Sequence, residues 1–81
     1  MEMRVKLFTV LRDAAGQEDV MLPWRQGMTY LDLLVDLKKK FRGMTPLLDS
    51  SFVAVNGRFA ERGTFLMPED EVAVLPPVSG G

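Results

Sequence analysis

The chain closes on Pro76-Pro77-Val78-Ser79-Gly80-Gly81, and its 81 residues include neither cysteine nor histidine. The two absences remove most self-contained chemistry. Disulfides, thiolate zinc sites, cysteine nucleophiles and histidine general bases all need residues that this chain lacks. Aspartates and glutamates are present, but none is spaced as a paired acid and base, and no metal-ligand pattern appears. Any chemistry is therefore expected to consist of lending a group to another protein's active site. The closing six residues are the candidate for that group. The plain alternative is a disordered end without a role, as is common at termini.

Composition narrows the class further. An apolar fraction of 47% and a charged fraction of 26% fit one ordinary globular domain. Ten Lys and Arg against eleven Asp and Glu leave a net charge of -1. Phosphate binding calls for a basic excess, so nucleic acid is not expected as a partner. No apolar run approaches the length of a membrane span, and the charged, alternating start is not that of a signal peptide. A cytoplasmic protein is expected.

The elements that must position the end follow from periodicity. Residues 3–10 (MRVKLFTV) alternate as a strand, with Met3, Val5 and Leu7 on one face and Arg4, Lys6 and Phe8 on the other. Residues 12–16 (RDAAG) supply a turn, and 19–22 (DVML) a second strand closed by Pro23, which predicts a hairpin. Thr29 and Asp32 have capping-box spacing at the start of a helix. Tyr30, Leu34, Leu37 and Phe41 recur at helical spacing, with Leu31 and Leu33 widening the stripe and Gly43 as the stop. Lys38, Lys39, Lys40 and Arg42 suit the negative end of that helix, and a docking patch for an acidic partner is the alternative. Residues 52–55 (FVAV), the turn Asn56-Gly57 and Arg58-Phe59 form a hairpin. Pro68-Glu69-Asp70 make a turn before a last strand over 71–75 (EVAVL). Trp24 is expected as a lid on the core. The order predicts an α+β fold, a mixed sheet with one main helix across one face.

That order, ending in Gly-Gly, resembles the ubiquitin-like β-grasp family. The stretches VKLFTVLRDAAG, FVAVNGRF and EDEVAVLPPV, with the closing PPVSGG, resemble the sulfur-carrying small subunits of molybdopterin synthases over essentially the whole chain. Relatives commonly carry Gly where this chain has Glu69, before the last strand. The resemblance implies a domain over residues 1–75 and an extended tail over 76–81. It also implies a cycle. A ubiquitin-activating-type enzyme adenylates Gly81 with ATP and magnesium, a sulfur donor enzyme replaces AMP to leave a thiocarboxylate, and the sulfur passes to a pterin precursor inside a large subunit, as a heterotetramer. No cofactor or metal is expected on this chain itself.

Under the same resemblance each tail residue has a role. Gly80 and Gly81 carry no Cβ and fit a narrow channel, while Pro76 and Pro77 keep the chain extended and Val78 follows them. Six residues reach at most ~20 Å. Strand parity turns Leu75 outward if Val72 and Val74 face the core. The first and last strands are neighbours in a β-grasp sheet, so Phe8 and Leu75 are expected in one exposed apolar patch for a partner, with a second minor core as the alternative. Phe59 occupies a position that family members use for partner contact. Arg12 is a candidate contact for the adenylating enzyme, against a solvated turn arginine. Delivery to thiamine or to tRNA thiolation, a ubiquitin-like modifier joined through Gly81 to target lysines, and a binding module with a dispensable tail are the competing functions.

Overall fold

The computed structural model describes residues 1–77. Five strands form one mixed sheet, β1 (Glu2–Leu7), β2 (Asp19–Pro23), β3 (Phe52–Val55), β4 (Arg58–Phe59) and β5 (Val72–Leu75), in the order β2-β1-β5-β3-β4. β1 and β5 run parallel at the centre, and the other neighbours are antiparallel. The inward residues of the strands, including Met3, Val5, Leu7, Val53, Val72 and Val74, are buried in a single core. This is the ubiquitin-like β-grasp arrangement that the element order implies.

The main helix α2 (Tyr30–Lys40) supplies the other layer through Tyr30, Leu33, Leu34 and Leu37. Its start is the predicted capping box. Thr29 Oγ1 accepts from the Asp32 backbone N–H, and Asp32 Oδ2 accepts from the Thr29 N–H at 2.9 Å. Leu31 departs from the expected stripe and is exposed. The helix stops at Lys40 with Phe41 as its cap, short of Gly43, which lies inside a 3-10 turn over Arg42–Met44. A short helix α3 (Thr45–Asp49), unforeseen in the sequence, follows with Pro46 in its first turn, where a missing N–H costs nothing. Lys38 pairs with Asp49, tying the end of α2 to α3.

The β1–β2 connection is also different from expectation. β1 ends at Leu7, and residues Val10–Ala15 form a helix, α1, where a hairpin turn was predicted. Leu11 drives it by inserting fully into the core, and Gly16 closes it in the left-handed conformation that favours glycine. The strands still pair antiparallel, Met3 opposite Leu22 and Val5 opposite Val20. Trp24 lies half-buried against the core, its indole N–H donating to the Leu66 carbonyl at 2.8 Å, which is the lid role expected of it. The Asn56-Gly57 turn has φ of 53 and 83, as a tight hairpin requires. The turn at Pro68-Glu69 needs no glycine, because Asp70 N–H donates to the Met67 carbonyl without any positive φ at Glu69. Among the described residues no helix is long and apolar enough to cross a membrane.

The capping box makes a stability prediction. Thr29→Ala removes the accepting oxygen and should lower the unfolding free energy by about 1 kcal/mol in urea titration. The Thr29 backbone N–H, then its hydroxyl, and lastly the charge of Arg25 hold the Asp32 carboxyl below its ordinary range, against partial desolvation. A carboxyl depressed in the folded state contributes stability above the ordinary carboxylate range and loses it as pH falls through the folded value. Asp32→Asn should accordingly flatten the acid limb of the stability curve, and an unchanged acid limb would contradict this assignment.

Candidate functional site: an apolar groove where the last strand leaves the sheet

The inward residues of each strand fix the opposite face by the two-residue period. Beyond Leu7 and Val74, which pair in register, the chain presents Phe8 and Leu75. Phe8 continues the ladder past the end of β1 by donating its N–H to the Val74 carbonyl at 3.3 Å. Leu75 pairs in turn with Phe52 on β3, and the Phe52 ring meets Phe59 of β4 edge-on, centroids 5.9 Å apart and planes at 64°. Phe8, Thr9, Phe52, Phe59, Leu75, Pro76 and Pro77 line one groove of about 720 Å³. Among the described residues no charged side chain lines it.

The predicted patch residues Phe8 and Leu75 therefore lie together, both half-buried, with Pro76 and Pro77 running along the same groove and Phe59, 75% exposed, as its outer wall. Arg12 is not brought to this groove as a lining residue. It is on α1 and not in a turn, exposed, with its Nε 3.6 Å from the carboxylate of Asp13. Val78, Ser79, Gly80 and Gly81 lie outside the described residues. Phe52, 51% exposed, is a wall of the groove that the sequence reading passed over. Its signal was available in the parity of FVAV: with Val53 inward, Phe52 must face the side of Leu75.

Thr9 adds a constraint of a different kind. Its φ of 48 and ψ of -121 are unusual for a β-branched residue, at a cost on the order of 1–3 kcal/mol. The conformation turns the chain sharply from β1 into α1, with Leu11 N–H donating to the Phe8 carbonyl at 3.1 Å. Phe8 is thereby fixed at the groove's edge while Leu11 enters the core. Next to the groove, and sharing Phe8 with it, a second depression on the open sheet face is lined by charged residues of both signs, among them Arg4, Lys6, Asp19 and Glu71. Ala54 and Ala73, opposite each other in register, form its floor. Among the described residues no three His, Cys, Asp or Glu side chains come together as a metal site.

A family model described as the ThiS family matches residues 5–81. The chain belongs to the ThiS family. Two curated relatives are molybdopterin synthase sulfur carrier subunits. That of Arabidopsis thaliana is 30% identical over 80 residues, covering 99% of this chain and 83% of the relative. That of Dictyostelium discoideum is 27% identical over 84 residues, covering 99% and 96%. Among solved structures, the small archaeal modifier protein SAMP1 of Haloferax volcanii matches with a TM-score of 0.85 at 30% identity, over 100% of both chains. The ThiS-family fold and the groove thus occur together in a chain whose match to the family runs through Gly81.

Adjacent residues should separate core from groove. Leu7→Ala empties a fully buried site and should cost about 2–5 kcal/mol in urea unfolding. Phe59→Ala removes an exposed ring and one aromatic contact and should cost about 1 kcal/mol or less. Equal losses at the two positions would place Phe59 in the core and dissolve the groove.

Proposed function

We propose that this ThiS-family chain is the sulfur carrier of a molybdopterin synthase, working in the cytoplasm and presenting Gly81 as its reactive end. The observation that carries the reading is the groove: Leu75, Pro76 and Pro77, the residues that lead to the chain's end, themselves line the apolar surface. A partner that covers the groove takes hold of the chain at the root of its reactive end. The likeness to the two molybdopterin synthase sulfur carrier subunits supports the pathway.

In this reading a carboxylate oxygen of Gly81 attacks the α-phosphorus of ATP on a ubiquitin-activating-type partner, which also holds magnesium, and pyrophosphate leaves. Sulfur at the sulfide level, supplied by a donor enzyme, then attacks the acyl carbon, the bond to the AMP oxygen breaks, and loss of the S–H proton leaves Gly81 as a thiocarboxylate. That sulfur is the nucleophile presented to the pterin precursor inside the large subunit, where the catalytic groups reside. Gly80 and Gly81 keep the entering chain thin, and Pro76 and Pro77 limit the conformational entropy lost on entry. The lack of cysteine leaves no internal thiol to attack the activated end. The large subunit, in a heterotetramer, and the adenylating enzyme both dock through Phe8, Phe52, Phe59 and Leu75. Arg12, exposed on α1, is a further contact for the adenylating enzyme.

The likeness to SAMP1 favours a second reading, a modifier joined through Gly81 to lysines of other proteins. Intact mass after incubation with the adenylating partner, ATP, magnesium and a sulfur donor separates the two. The carrier reading expects one sulfur in place of one oxygen at Gly81. Isopeptide-linked products with no thiocarboxylate would favour the modifier. Gly80→Val should abolish charging and leave the thermal midpoint unchanged, because a β-branched residue thickens the chain where it must pass through a channel. A Gly80→Val chain charged at the normal rate would remove the steric account of the tail. Phe8→Asp should weaken binding of the large subunit by about 2 kcal/mol or more, as expected when a charge enters a desolvated apolar contact.

A further inference from the structure

Away from the groove, Asn56-Gly57 combines a reactive sequence with an unusual restraint. Asn56 is the chain's sole asparagine. Both residues of the turn have positive φ, and nothing lies within 4 Å of the position where Gly57 would carry a Cβ. With no side chain at Gly57, its backbone nitrogen is the least hindered kind to attack the carboxamide carbon of the preceding asparagine once the geometry allows. The Asn56 carboxamide, however, is held at both ends. Nδ2 donates to Asp70 Oδ1 at 3.0 Å, and Oδ1 accepts from the Glu71 N–H at 2.9 Å. The Asn56 N–H donates to the Glu71 carbonyl at 2.8 Å. These bonds clasp the β3–β4 turn to the loop before β5. Asp70 is itself anchored, its second carboxylate oxygen accepting from the Met67 N–H at 2.8 Å.

We infer that Asn56 is a latent modification site, a carboxamide kept unreactive by its bonds to Asp70 and Glu71 that deamidates when this clasp opens. The reaction needs only water and a base. The Gly57 nitrogen loses its proton and bonds to Asn56 Cγ, the Cγ–Nδ2 bond breaks, and ammonia departs to leave a succinimide. Water opens that ring to aspartate or isoaspartate. The clasp does not re-form afterwards, because a carboxylate at position 56 sets a like charge against Asp70 where a donor stood. Isoaspartate also lengthens the backbone of a two-residue turn. β4 is only two residues long and carries Phe59, so the modification loosens the outer wall of the groove.

The test uses the whole chain alone, so its outcome is independent of whether Gly81 carries sulfur. The parent is incubated in mildly alkaline buffer, folded or in denaturant, alongside Asp70→Ala. Intact mass follows the gain from replacing NH₂ by OH at the single asparagine, and circular dichroism confirms folding. The folded parent should react far more slowly than the unfolded chain. Folded Asp70→Ala should react about tenfold faster than the parent or more, the scale of a lost bond to a charged group. A folded parent as reactive as the unfolded chain, or a folded Asp70→Ala as slow as the parent, would overturn the inference.

Discussion

The parallel pairing of β1 with β5 is the constraint on which the rest depends. It sets Val5 against Val72 and Leu7 against Val74, joining the two ends of the chain at the middle of the sheet. Parallel neighbours cannot be joined by a tight turn, so everything between them must cross over and return. α2 and α3 occupy that crossover and cover the inner face, while β3 and β4 extend the sheet on the far side of β5. The same register brings Phe8 beside Leu75. A slip of one residue in β5 would send Val72 and Val74 outward and Leu75 inward, removing the core and the groove together.

The surface around β5 is divided by chemistry. One end of the strand opens into a groove lined, among the described residues, by aromatic, aliphatic and proline side chains and the Thr9 hydroxyl, and the other adjoins a depression with charges of both signs. The apolar part suits a contact from which water is expelled, while exposed charges contribute mainly to orientation and encounter. The strained Thr9 marks where these demands meet the core. One sharp turn must hold Phe8 at the surface and commit Leu11 to the interior within three residues.

Features governed by short-range rules were legible in the sequence. The capping box at Thr29 and Asp32, the Asn56-Gly57 turn and the inward set of β1 each rest on side chains a few residues apart. Features decided by tertiary contact were not. Residues 12–16 carry turn-forming types, yet burial of Leu11 winds the segment into α1, and Gly16 caps a helix where a hairpin bend was expected. Gly43 suggested a helix stop, but Phe41 packs back on the core and ends α2 earlier. α3 spans only five residues, too few to leave a periodic signature. In the groove, parity alone placed Phe8 and Leu75 together, whereas Phe52 required the β3–β5 register to reveal that it completes the wall.

The central claim is that the groove and the chain's end act as one unit, the first docking the partner and the second entering it. The most direct measurement follows backbone amide signals of the isotope-labelled chain during titration with the large subunit of a molybdopterin synthase. The account predicts shifts concentrated at Phe8, Thr9, Phe52, Phe59 and Leu75 and continuing through Val78 to Gly81, with the exposed face of α2 at Leu31 and Val35 unperturbed. Shifts confined to α2 and its lysines, with the groove and the final residues unaffected, would contradict it.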